Sequence, residues 1–139
     1  MATVPPSKTD RPASSWLRSR RASFGYALAG VRLLVATQPH ARFHLLATVA
    51  VIAAGAALGI TRSEWLAVVL AAGLVWGAEA VNTAIEWLVD LVHPEWARPA
   101  GRVKDVAAGA VLLASIAAAA VGALVFAPRV LALAAHYLG

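Results

Sequence analysis

The strongest constraint on the fold is a run of 21 residues, Val106 to Phe126, without a single charged side chain. At 1.5 Å per residue, such a run forms a helix about 31 Å long, enough to cross the hydrocarbon core of a bilayer. Two more stretches are of similar character. Residues 43–60 are uncharged and would make a helix of about 27 Å. Residues 66–92 are longer and apolar apart from a few polar positions. Composition agrees, since 60% of the 139 residues are hydrophobic and 14% charged, against about 45–50% and about 25% in soluble domains. The expected fold is an all-α membrane protein with three transmembrane helices in one domain, residues 14–139. No cysteine is present, which excludes disulfides and thiolate metal sites.

Residues 1–13 are rich in Pro, Ser and Thr and lack an apolar core, so they are expected to form a disordered tail rather than a cleaved signal. From about residue 14 to 37, Trp16, Phe24, Tyr26, Leu28 and Leu33 alternate with arginines, the pattern of an amphipathic helix lying in the membrane interface. Pro39 disfavours helical geometry at Gln38 and predicts a break there. Thr61 or Ser63 is placed to cap the second span. Pro94 and Pro99 mark a connection over residues 93–105.

Seven of the twelve Lys/Arg precede the first span, and Arg98, Arg102 and Lys104 lie between the second and third. Only Arg62 and Arg129 fall on the other side. The positive-inside rule therefore puts the N-terminus and the second connection in the cytoplasm and the C-terminus outside, in the cell membrane. The net charge of +5 reads as attraction to anionic lipid headgroups, with no nucleic-acid partner.

The second span carries Glu79, Asn82, Thr83, Glu86 and Asp90. With Glu79 at 0° and about 100° per residue, they fall near −60°, +40°, −20° and +20°, on one stripe. Carboxylates at membrane depth are costly, so the stripe is expected to face protein, water or a metal, and ionisable groups within spans mark functional sites. Arg102 and Lys104 suit phosphate oxygens, and Asp105 suits orienting the lysine or a metal. A proton or cation conductor using the same stripe is an alternative reading. There is no P-loop, Gly-rich kinase loop or H-E-x-x-H motif, and the four histidines lack zinc spacing.

The run Glu79-Ala80-Val81-Asn82-Thr83-Ala84-Ile85-Glu86, then Asp90, then Lys104-Asp105-Val106-Ala107-Ala108-Gly109-Ala110-Val111 resembles the prokaryotic membrane diacylglycerol kinase family, which includes undecaprenol kinases. The likeness spans about Phe24 to Phe126. It implies a homotrimer with shared active sites that moves the γ-phosphoryl of ATP, with Mg²⁺, to a membrane lipid substrate, diacylglycerol or undecaprenol. On that resemblance Glu79 is the general base, Asn82 positions the reacting groups and Glu86 binds the metal. Lys104 and Asp105 serve the nucleotide phosphates, and Tyr26 and Glu95 its other contacts. One position departs from the pattern. Gln38 stands where the family has a metal-sharing glutamate, so its amide offers the metal an oxygen without a charge. A catalytically inactive relative is the reading that Gln38 alone motivates.

Overall fold

In the computed structural model, residues 13–95 and 97–138 are described. They form four helices, α1 (Ala13–Thr37), α2 (Pro39–Ala57), α3 (Arg62–Val92) and α4 (Arg98–Leu138). Among the described residues no strand occurs. The chain divides into two compact units at Leu33/Leu34. Residues 1–12, which hold nearly all of the expected tail, and Trp96 lie outside the described residues, as does the side chain of Trp16.

Helices α2, α3 and α4 are each long and apolar enough to cross a membrane. Their lengths differ in a useful way. The 19 residues of α2 span about 28 Å, the 31 of α3 about 46 Å and the 41 of α4 about 60 Å, against a hydrocarbon core of about 30 Å. The last two therefore extend beyond the hydrocarbon. Large apolar side chains such as Leu46, Leu70, Leu113 and Leu124 are exposed, as expected where lipid or a partner helix is the solvent.

The helix ends differ from the expected span boundaries. The third span is not preceded by a loop reaching Asp105, because α4 already begins at Arg98. Pro99 then sits in the first turn, where a missing N–H costs no helical bond, and Arg102, Lys104 and Asp105 are helical. At the other end α4 continues past Phe126 through Pro128. Helix α2 starts before the expected first span, at Pro39, and stops at Ala57, ahead of Gly59, whose φ of 60° is the left-handed conformation glycine tolerates.

The α2–α3 turn is closely built. The Thr61 hydroxyl accepts the Glu64 amide at 3.4 Å, and a Glu64 carboxylate oxygen accepts the Thr61 amide at 2.7 Å, a capping box. The same carboxylate receives both ends of the Arg129 guanidinium from α4, at 2.8 and 2.7 Å. Just inside this pair, Ile60, Val68 and Val125 form a buried cluster with Trp65 and Phe126 against it. The Trp65 ring passes so close to Gly55 that a Cβ there would lie 2.8 Å from it. One turn-spanning link ties α2 to α3 deeper in: the Trp76 indole donates to the Thr48 hydroxyl at 3.1 Å.

Candidate active site

The 3.6-residue repeat places Glu79, Asn82, Thr83, Glu86 and Asp90 on one stripe of α3, and the first three are buried. Depth follows from helix length. With Trp65 taken as one membrane boundary, Glu79 lies about 21 Å along the axis, Glu86 about 32 Å and Asp90 about 38 Å. In a core about 30 Å thick, the stripe begins inside the hydrocarbon and leaves it at Glu86.

Within the stripe the Asn82 amide donates to a Glu86 carboxylate oxygen at 3.0 Å. That bond fixes the amide orientation, since the flipped form would set oxygen against carboxylate. The remaining Asn82 Oδ1 is buried with no hydrogen-bond partner. Glu79, only 3% exposed, likewise forms no hydrogen bond among the described residues. An unpaired buried acceptor costs about 1–3 kcal/mol, and a carboxylate at membrane depth costs still more. A buried unpaired acceptor on a well-formed helix, beside a carboxylate with no hydrogen bond, is tolerated where a ligand or partner completes them.

Farther out, the Lys104 ammonium on α4 meets Asp90 on α3 at 2.5 Å. Between the same helices runs a groove of about 540 Å³. Its walls are Val81, Ile85, Val103, Val106 and their small neighbours, with Asn82 and Arg102 the polar side chains. An apolar trough with a few polar groups suits a ligand with a long apolar body and one polar end.

Other expected site residues are less tightly gathered. Gln38 is half-buried at the α1–α2 junction, extended at φ −102°, ψ 117°, and its side chain makes no capping hydrogen bond. Among the described residues no hydrogen bond joins it to Glu86. Asp105, Glu95 and Tyr26 are exposed, the last on the part of α1 in the first unit.

As a magnesium site, the arrangement supplies few donors of its own. Among the described residues no group of three His, Cys, Asp or Glu side chains is close enough to cage an ion. Mg²⁺ is usually held by one or two carboxylates together with substrate phosphates and waters. Glu86 and the unpartnered Asn82 oxygen are hard donors one turn apart, and they fit an ion that arrives with a nucleotide.

Comparison with known proteins agrees in extent and in kind. The family described as prokaryotic diacylglycerol kinase matches residues 25–126. A diacylglycerol kinase from Synechocystis sp. is 44% identical over 112 residues, covering 80% of this chain and 64% of the relative. An undecaprenol kinase from Bacillus subtilis is 34% identical over 107 residues, covering 77% of this chain and 87% of the relative. The matched region thus spans just under two thirds of the Synechocystis relative and most of the Bacillus one. It takes in the whole stripe, the Asp90–Lys104 pair and the groove between α3 and α4, and the chain belongs to the prokaryotic diacylglycerol kinase family.

Proposed function

We propose that this chain is a membrane lipid kinase that transfers the γ-phosphoryl group of ATP, with Mg²⁺, to the hydroxyl of diacylglycerol or undecaprenol. The observation that carries the reading is the junction of two features at Asn82. This residue lines the apolar groove between α3 and α4 and also belongs to the acidic stripe, hydrogen-bonded to Glu86. A lipid alcohol whose chain lies along that groove brings its hydroxyl to the stripe without leaving the bilayer.

Glu79, one turn from Asn82 and without a partner of its own, takes the hydroxyl proton as the lipid oxygen attacks the γ-phosphorus and ADP leaves. The lipid oxygen–phosphorus bond forms as the bond to the β,γ-bridging oxygen breaks. Asn82 orients the reacting groups. Glu86, the Asn82 oxygen and Gln38 would hold Mg²⁺, which would neutralise phosphate charge when bound with the nucleotide. Lys104 turns from Asp90 to the phosphates, with Asp105 and Arg102 beside it, and Asp90 and Thr83 support the stripe. Tyr26 and Glu95 contact the rest of the nucleotide. Positioning and charge stabilisation of this kind are the main demands of phosphoryl transfer.

The same reading gives the protein a cytoplasmic membrane location with the N-terminus and the Asp90–Lys104 end in the cytoplasm, where ATP is found. It also assembles three copies around shared sites, which would cover the apolar faces of α2 and α3. Purified protein in vesicles with γ-labelled ATP, Mg²⁺ and one lipid alcohol at a time tests it. Label should pass to diacylglycerol or undecaprenol, and the faster of the two is the substrate. No labelled lipid in either case, with Mg²⁺ or Mn²⁺, overturns the reading.

A further inference from the structure

The junction of α1 and α2 is held by an unusual set of bonds. In an unbroken helix the Val35 carbonyl would accept the amide of residue 39, and the Ala36 carbonyl that of residue 40. Pro39 has no amide hydrogen, and the extended backbone at Gln38 carries the next amides away from α1. The last bond of α1 is Gln38 N to the Leu34 carbonyl at 2.9 Å, and α2 opens with Arg42 N to the Gln38 carbonyl at 3.3 Å. Of the three carbonyls between them, those of Val35 and Ala36 are taken by one side chain. Arg42 Nε donates to the Val35 carbonyl at 3.0 Å, and its Nη2 donates to that of Ala36 at 2.5 Å.

A planar fork of donors suits two neighbouring carbonyls, and a fixed positive charge is favoured at the negative end of a helix dipole. Leu34 and Ala41, on either side of the break, are buried, so the elbow is anchored at both ends. Between them Gln38 leaves its side-chain amide uncommitted to the cap.

We propose that Arg42 is a positioning residue for the metal–nucleotide site: by replacing the donors that Pro39 removes, it fixes the elbow and so sets where Gln38 presents its amide oxygen. This rests on the metal role given to Gln38 above. The guanidinium itself touches neither metal nor substrate.

Mn²⁺ binding to the full-length protein in vesicles, followed by electron paramagnetic resonance with a non-hydrolysable ATP analogue, tests this without turnover. Arg42→Gln should weaken Mn²⁺ affinity about 10- to 100-fold, the usual effect of losing a group that orients a ligand. Arg42→Lys, which keeps the charge but not the fork, should fall between. Hydrogen exchange at the amides of Gln38 and Arg42 should speed up in step. In a Pro39→Ala background, where residue 39 can again donate to Val35, Arg42→Gln should add little to that exchange.

Unchanged Mn²⁺ affinity or unchanged exchange in Arg42→Gln overturns the proposal, as does an equal effect in the Pro39→Ala background. If Arg42→Gln does not assemble, Arg42→Lys carries the comparison, with a several-fold loss of affinity expected and none overturning it. A wild type that takes up no Mn²⁺ removes the metal role of Gln38 and this proposal with it. A wild type that binds Mn²⁺ yet phosphorylates no lipid overturns only the kinase reading.

Discussion

Replacing Asn82 by leucine should leave the protein as stable as before, or more so, while removing its activity. The side chain is 8% exposed, and its Oδ1 is buried without a partner. Removing an unsatisfied buried acceptor recovers about 1–3 kcal/mol. Against this stands the loss of the 3.0 Å bond to the Glu86 carboxylate, about 1.5–3 kcal/mol for a charged acceptor, reduced to about 0.5–1.5 kcal/mol because the half-exposed carboxylate regains solvent. Leucine is of similar volume and a better helix former by several tenths of a kcal/mol. The net expectation lies between no change and about 2 kcal/mol of added stability. Unfolding by SDS in mixed micelles reads the stability, and transfer of γ-phosphoryl from ATP to lipid reads the activity. A loss of more than about 1 kcal/mol would refute the reasoning, because it would mean that Oδ1 has a structural partner in the assembled protein and that Asn82 serves packing.

Gly55→Val should cost about 1–3 kcal/mol, since the Trp65 ring stands 2.8 Å from the new Cβ in a well-packed turn; SDS unfolding of the variant checks this. A double-mutant cycle with Glu64→Gln and Arg129→Gln should return a favourable coupling above that of singly bonded exposed pairs, because both side chains are only 26% exposed and the contact is doubly bonded. Lys104→Gln should lower kcat/KM for ATP about 10- to 100-fold, the worth of one or two charged hydrogen bonds to phosphate, and steady-state kinetics in vesicles measures it. Gln38→Glu should bind Mn²⁺ more tightly than the wild type by adding a charged oxygen, with transfer activity equal or higher; weaker binding would mean that the elbow is shaped for the amide.

Much of this fold is legible in the sequence because membrane helices obey few rules. Length and apolarity locate α2, α3 and α4, the residue before Pro39 announces the break at Gln38, and the 3.6-residue period gathers Glu79, Asn82, Thr83 and Glu86 before any coordinates exist. The start of α4 is misread for an equally physical reason. Pro94 and Pro99 look like a loop, yet a proline in a first turn loses no bond, so helix begins at Arg98 and lifts Lys104 to meet Asp90. The Glu64–Arg129 pair joins residues 65 apart and has no local pattern. Its one sequence signal is that a lone acid and a lone arginine flank their spans at the same end. The role of Arg42 is hidden similarly, because only geometry shows that this arginine, at the start of α2, meets the carbonyls of Val35 and Ala36.

The central claim is that the buried Glu79 carboxylate takes the proton from a lipid hydroxyl. Single-turnover transfer from γ-labelled ATP, compared between wild type and Glu79→Gln in vesicles with matched assembly, tests it most directly. The account predicts labelled lipid from the wild type and a rate about 10²- to 10⁴-fold lower in the variant, the usual contribution of a general base. Transfer by Glu79→Gln within about tenfold of wild type would contradict it.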